Sequence, residues 1–327
     1  MSNVLLTTVC RPFGGKGEGD SVGAELFHAQ VTRSQGIFSY RQVIRCWGLD
    51  YIAENIEAPT VVLHYPSKRE FLQEIRKRRY DIIGINFVVA TFHKVQQMVG
   101  IIRKYSHGSK IVLGGYGTVL SDSELGPCSD FICREEGIDF MRRLLGEKTE
   151  RPINHPYSPI ESPRVYSVPL KTKVAHITGG LGCPNGCDFC CTSHYFKRRY
   201  IPFIRSGREL YETMRMMEIK AKEVGDCLSG FIFIDEDFFI HEKRAREFLD
   251  CVREGGASQS IMGFGSVRGL SQFTANEIAE MGFDIIWTAF EGADSGYKKL
   301  QGAKLDHLYR QLKSRGVAIL TSMIIGF

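Results

Sequence analysis

Five prolines, Pro152, Pro156, Pro159, Pro163 and Pro169, divide this 327-residue chain. Proline fixes φ and removes a backbone donor, so neither a helix nor a central strand continues through such a run. Residues 151–170 read as an extended connection between two stretches, 1–150 and 171–327, that share one pattern. On each side, short β-branched runs alternate with amphipathic helices, which is the signature of parallel α/β units. The length suffices for two separate cores.

In the first stretch the strand candidates are Val4–Val9, Thr60–His64, Asp81–Phe87, Lys110–Leu113 and Asp130–Cys133. Helix candidates Tyr40–Asn55, Ser67–Arg79, Phe92–Tyr105 and Glu135–Leu145 lie between them. Ser67 and Glu70 form a capping box, and Phe71, Leu72 and Ile75 make one apolar stripe on a charged rod. The expected fold is a doubly wound, Rossmann-like domain. In the second stretch, strands over Val174–Thr178, Gly230–Ile234, Ile261–Ser266, Asp284–Ala289 and Val317–Ile325 alternate with helices Arg208–Glu223, His241–Glu254, Thr274–Met281 and Lys304–Ser314. Repeated βα units of this kind predict a (β/α) barrel whose chemistry sits at the carboxyl ends of its strands.

The residues that carry chemistry start at the first of those ends. Gly179-Gly180-Leu181-Gly182-Cys183-Pro184-Asn185-Gly186-Cys187-Asp188-Phe189-Cys190-Cys191 holds three cysteines at C-x3-C-x2-C. Glycines let a loop fold back so that thiolates converge, and a thiolate trio suits an iron–sulfur cluster or zinc. Three ligands leave one iron of a cubane cluster open to a small molecule. Zinc needs a fourth ligand, for which Cys191 or His194 is near in sequence. The adjacent pair Cys190 and Cys191 is awkward to aim at one ion. A non-catalytic zinc-binding module is the alternative from another class.

Later strand exits carry Asp235-Glu236-Asp237, then Arg268, then Glu291. Carboxylates there suit an ammonium group or ribose hydroxyls, and a guanidinium suits a carboxylate. Singly, each is equally a loop charge or a helix cap; four successive strand exits together point to a site.

Composition narrows the classes. The chain is 43% apolar and 24% charged, as in soluble globular proteins, and its net charge of +5 is too mild to argue for nucleic acid. The basic run Arg76–Arg79 ends a predicted helix, where cations complement the dipole. There is no signal-peptide pattern, and no apolar stretch approaches the roughly 20 residues of a membrane span. The ten cysteines are therefore expected to be reduced thiols of a cytoplasmic protein. Cys10, Cys46, Cys128, Cys133, Cys227 and Cys251 are expected to be buried as small apolar groups.

The cysteine spacing matches in full the motif of the radical S-adenosylmethionine (SAM) superfamily, and the first half resembles the cobalamin-binding domain that precedes the barrel in one subclass. The resemblance implies a [4Fe–4S] cluster on Cys183, Cys187 and Cys190, opening SAM to a 5′-deoxyadenosyl radical. It places Phe189 against adenine and Asp235, Arg268 and Glu291 around the rest of SAM. It sets Thr91, Gly114 and Gly115 along the cobalamin nucleotide tail, and the stretch Cys133–Gly137 resembles the family's acidic, glycine-containing turn. No D-x-H-x-x-G occurs, so cobalt would lack a protein histidine; His28 and His93 are the histidines near candidate loops. Gly14–Gly19 reads as a flexible loop able to cover the corrin. Full barrels of this superfamily add a sixth βα unit, so the chain reads as truncated after its fifth strand, with an open sheet edge. The implied activity is cobalamin-dependent methylation of an unactivated carbon, with ring closure or rearrangement without methyl transfer as the second reading. The implied partners are a small-molecule substrate, among natural-product, lipid or tetrapyrrole precursors, and a one-electron reductant such as flavodoxin or ferredoxin.

Overall fold

A computed structural model describes residues 2–11, 45–160, 164–165, 168–169, 172–256, 259–290, 296–300 and 305–324. The chain divides into two compact units, Met1–Leu170 and Lys171–Phe327. Among the described residues no helix is long and apolar enough to cross a membrane. The glycine-rich stretch Gly14–Gly19, His28 and Glu291 lie outside the described residues.

The first unit contains β1 (Val4–Thr8), α1 (Trp47–Asn55), β2 (Thr60–Leu63), α2 (Lys68–Lys77), β3 (Ile82–Asn86), α3 (Phe92–Tyr105), β4 (Lys110–Gly114), β5 (Phe131–Ile132) and α4 (Gly137–Leu145). The strands run parallel in the order β2-β1-β3-β4-β5, with Val4 opposite both Thr60 and Ile82. This is a doubly wound sheet whose strand order reverses at β1 and β3. The two faces follow from the period-2 alternation of a strand. Leu5, Ile83, Ile85, Ile111 and Leu113 pack with Phe71 of α2 and with Val95 and Met98 of α3. Their neighbours Val4, Leu6, Ile82 and Val112 turn to the other face, against Leu49 of α1 and Met141 of α4.

Local chemistry sets the element ends. The Ser67–Glu70 box forms at the start of α2 as expected. α4 begins two residues later than the sequence suggests, because the Glu136 carboxylate accepts from the amides of Ile138 (2.5 Å) and Asp139 (2.8 Å) and so caps it. β5 is shorter than Asp130–Cys133, since the Asp130 side chain itself takes the Ile111 amide at 2.9 Å. α1 begins at Trp47, and residues 45 and 46 are not helical. The first part of the proline-rich stretch is tied to this unit: Asn154 exchanges hydrogen bonds of 2.8 Å with Asn55, and buried Arg142 donates to the carbonyls of Thr149 and Arg151 at 3.1 Å.

Asp50 is the strongest acidic anchor of the unit. Arg45 donates to it twice, at 2.9 and 3.1 Å, and the Ser158 hydroxyl donates at 2.8 Å. His64 accepts the Cys46 amide on Nδ1, so its Nε2–H faces Asp50 at 2.9 Å. Burial alone would raise the pKa of Asp50. The hydrogen bonds from His64, Arg45 and Ser158 outweigh that and hold the carboxyl well below the usual carboxylate range. A depressed carboxylate contributes stability that is present above its unfolded pKa, about 3.9, and is lost as pH falls through the folded value. Urea melts of the Asp50→Asn variant are thus expected to show reduced stability at pH 7, and a gap to the unaltered protein that narrows below about pH 4. A gap independent of pH would refute the assignment.

The second unit contains β6 (Thr172–Ile177), α5 (Cys191–Tyr195), α6 (Gly207–Glu223), β7 (Cys227–Phe233), α7 (Glu242–Gly255), β8 (Ile261–Phe264), α8 (Val267–Leu270), α9 (Ala275–Glu280), β9 (Phe283–Ala289), α10 (Leu305–Ser314) and β10 (Ala318–Ser322). Its parallel strands follow in chain order, β10-β9-β8-β7-β6, as successive βα units of a partial barrel do. Beneath the strand ends lies an aromatic core. Phe283 sits 5.1 Å from Phe238 and 4.9 Å from Phe239, and Phe233 meets Phe248 edge-on at 5.6 Å. Cys10, Cys128, Cys133 and Cys251 are buried as expected; Cys46 is half-buried, and Cys227, which opens β7 at the surface, is exposed.

Candidate functional site

The chain leaves β6 through a bend at Gly179, whose carbonyl accepts the amides of Phe203 and Ile204, both at 2.9 Å. Gly180–Leu181 then pairs antiparallel with Ile201–Pro202, closing the base of the cysteine loop. Within the loop the Ser193 hydroxyl donates to the Cys183 carbonyl (2.8 Å) and accepts the Gly186 amide (3.0 Å). Cys183 and Cys187 are buried, Cys190 is half-buried and Cys191 is exposed. Burial pushes the Cys183 thiol up to about 11, and the backbone amide of Asn185 offsets only part of this.

Cys183, Cys187 and Cys190 all line one cavity of about 280 Å³. Every other strand of the sheet adds to its wall: Glu236 and Asp237 after β7, Ser266 after β8, Thr288 on β9 and Ser322 on β10. Carboxyl strand ends converging on one hollow are where a barrel holds its ligand. The three thiols share this hollow, yet among the described residues no group of three His, Cys, Asp or Glu side chains is placed to hold a single metal ion. A cubane cluster takes one thiol on each of three irons, and three thiols around one hollow are the donors it uses. The donor set therefore fits a cluster. Cys191, offered by sequence as a fourth zinc ligand, is exposed and opens α5.

The other sequence-expected residues divide. Phe189 lines the cavity, with the Tyr297 ring edge-on at 5.5 Å and Lys299 Nζ 5.1 Å from its ring centroid. Asp235 does not line it. Arg244 Nη2 binds its Oδ2 at 3.0 Å and the Tyr200 hydroxyl donates to its Oδ1 at 2.7 Å, so this carboxylate is spent inside the protein. Asp237 accepts from Asn185 Nδ2 (2.9 Å) and from the Ser266 amide (3.1 Å), joining three strand exits. Of the three successive carboxylates, Glu236 is the one exposed on the wall. Arg268 is exposed on α8 and outside the wall; the cation on the wall is Lys299. Sequence reasoning missed Lys299, which no strand end announces. It also missed Arg244, whose place four residues before Phe248 on the apolar stripe of α7 was a readable sign of burial.

In the first unit, the Thr91 hydroxyl donates back to the Val88 carbonyl at 2.9 Å and is itself buried. Gly115 has φ +87°, and a Cβ there would lie 2.7 Å from Asn86 Nδ2, so glycine is required for β4 to turn against the end of β3. Gly114 is less constrained, with Cys133 Cβ the nearest atom to its missing Cβ, at 3.9 Å. Around this carboxyl edge Val88, Val89 and Val119 are exposed, an apolar rim beside the switch point.

No protein-family model matches the chain. A bacteriochlorophyllide d C-8(2)-methyltransferase of Chlorobaculum tepidum is 22% identical over 201 residues, 56% of this chain and 44% of that protein. An anaerobic magnesium-protoporphyrin IX monomethyl ester cyclase of Rubrivivax gelatinosus is 24% identical over 221 residues, 56% of this chain and 38% of that protein. The chain thus spans less than half the length of these two curated relatives. In fold it is similar to the radical SAM methyltransferase TsrM of Kitasatospora setae, solved with cobalamin and a [4Fe–4S] cluster bound. That match has a TM-score of 0.66 at 14% identity and covers all of this chain and 70% of the other. In fold, and in the C-x3-C-x2-C spacing of its cysteine loop, the chain is similar to radical S-adenosylmethionine enzymes whose barrel follows a cobalamin-binding-type domain.

Proposed function

We propose that the chain is a radical SAM enzyme that methylates an unactivated carbon with the help of cobalamin. Residues 1–150 serve as the cobalamin unit, 151–170 as the connection and 171–327 as the barrel. One observation carries this reading: the three motif thiols and all four remaining strands of the sheet wall a single cavity. Cys183, Cys187 and Cys190 would hold the [4Fe–4S] cluster. Bound there, the cluster supplies one electron to split a carbon–sulfur bond of SAM, and cobalamin carries the methyl group.

The chain's own residues orient and shield. Glu236 accepts the ammonium group of SAM, Lys299 pairs with its carboxylate, and Phe189 packs on adenine, while Glu291 serves the ribose. Thr91, Gly114 and Gly115 let the nucleotide tail approach the first sheet. Buried Asp235 holds Arg244 and Tyr200, and Arg268, exposed on α8, stands outside the cavity wall. A one-electron reductant of flavodoxin or ferredoxin type feeds the cluster.

For the substrate we propose a tetrapyrrole. The names of both curated relatives specify one, and the cavity presents the stacked rings of Phe264 and Trp287, 5.7 Å apart at 25°, as a flat apolar wall. The cyclase among the relatives keeps ring closure as a second reading. Anaerobic reconstitution of the full chain is expected to give equal iron and sulfide, visible iron–sulfur absorption, and 5′-deoxyadenosine or S-adenosylhomocysteine from SAM. Isotopic label moving from the SAM methyl group to a tetrapyrrole supports methylation; deoxyadenosine with an unmethylated, ring-closed product supports the cyclase reading. Stoichiometric zinc with no iron would sink both.

A further inference from the structure

The cysteine loop is backed by a turn that its chemistry does not use. Lys197 and Arg198, directly after α5, have φ of 54° and 57°, the left-handed region that residues other than glycine rarely adopt. The turn is held by the loop itself. The Arg198 amide donates to the Ser193 carbonyl at 2.6 Å, and the same serine's hydroxyl binds Cys183 and Gly186. The Arg199 carbonyl fills the space a Cβ at Gly182 would need, and Arg198 Nε lies 3.1 Å from where one at Gly186 would be. Three successive cations, Lys197, Arg198 and Arg199, are thereby presented at the surface in backbone contact with the cysteine loop. None of the three has a carboxylate partner among the described residues. Other exposed arginines do have such partners, Arg253 with Glu280 and Arg143 with Glu135 among them.

We infer that Lys197, Arg198 and Arg199 dock an acidic protein that carries a single electron. The inference rests on the cluster reading of the three thiols and adds the place where the electron enters. The carrier loses one electron and the cluster gains it; no group is transferred. Complementary charge raises the encounter rate and makes it fall with salt. The position against Cys183 favours an electron carrier over a nucleic acid, which this turn would bind without any relation to the thiols.

The test uses the reconstituted full chain and a variant carrying Lys197→Asn, Arg198→Asn and Arg199→Gln. Asparagine tolerates left-handed backbone, so the turn is kept while its charge is removed. Stopped-flow reduction of the cluster by reduced flavodoxin is expected to slow about tenfold at low salt and to lose most of its salt dependence. Reduction by dithionite is expected to stay unchanged. Equal flavodoxin rates in the two proteins would overturn the docking surface alone. Equal slowing with dithionite would also overturn it and make the turn a support for the loop. Retention of a labelled oligonucleotide by the unaltered chain but not the variant, with flavodoxin rates equal, would assign the turn to nucleic acid. Failure of the unaltered chain to take up iron would overturn the cluster reading and the docking surface with it.

Discussion

Replacement of Cys187 by alanine is expected to yield a folded protein that binds no cluster and cleaves SAM at least about a hundredfold more slowly. That loss exceeds the 10–100-fold typical of outer-shell changes around a metal. Cys187 is 5% exposed, and its thiol is one of three on the cavity wall. A cubane with two protein ligands is neither retained nor poised to leave a single iron open. Iron content, visible absorption and deoxyadenosine release read the result. Cys191→Ala is the internal control. Its thiol is exposed at the start of α5, so cluster and cleavage are expected to persist. Were metal lost with Cys191 and kept without Cys187, the site would be a zinc site.

The second large effect is expected at Arg244. The Arg244–Asp235 pair is 5% and 2% exposed on its two side chains, and the Tyr200 hydroxyl completes it, accepting from Arg244 at 2.6 Å. Arg244→Met strands the Asp235 charge, and breaking a buried pair from one side costs about 3–5 kcal/mol. Over a unit of this size that lowers the melting temperature by roughly 10 °C. The damage also reaches the cysteine loop, because Asp235 and Arg244 fill the space beside Gly179 where a Cβ would stand. Cluster uptake is expected to fall with stability. The double variant Arg244→Met with Asp235→Leu is expected to recover most of the stability, since a replaced buried pair is often neutral. Calorimetry of the three proteins checks this; a double variant as unstable as the single one would show that the pair does not act as a unit.

How far the sequence reached differs by level. α3 runs from Phe92 to Tyr105 in sequence reading and structure alike, because its apolar spacing alone defines it. The Ser67–Glu70 box forms because the interaction spans only three residues. The cysteines were legible for the same reason: their spacing is local. Asp235, Glu236 and Asp237 were read as one group, and the structure gives them three fates. Which of them faces a cavity depends on how the chain turns after β7, and no local rule states that. Arg268 stands outside the wall and the unannounced Lys299 on it, because the wall is set by the register between elements far apart in sequence. Thr91 was expected to line the nucleotide tail of cobalamin, with no bond assigned to its hydroxyl. Threonine hydroxyls often bond back to their own turn, and this one does so with Val88.

The aromatic core of the second unit has a consequence for how such a site varies. Phe238 and Phe239 follow Asp237 directly in the chain, and both are buried against Phe283. The carboxylate loop is thus rooted in the interior, while Lys299 comes from a separate turn, Lys298–Leu300, beyond the strand ends. Tolerance to substitution is divided accordingly. The loop after β7 can drift only together with the hydrophobic interior, whereas the cationic wall stands on a short turn packed against α8. Adaptation to a new substrate would start at the rim and leave the floor as it is.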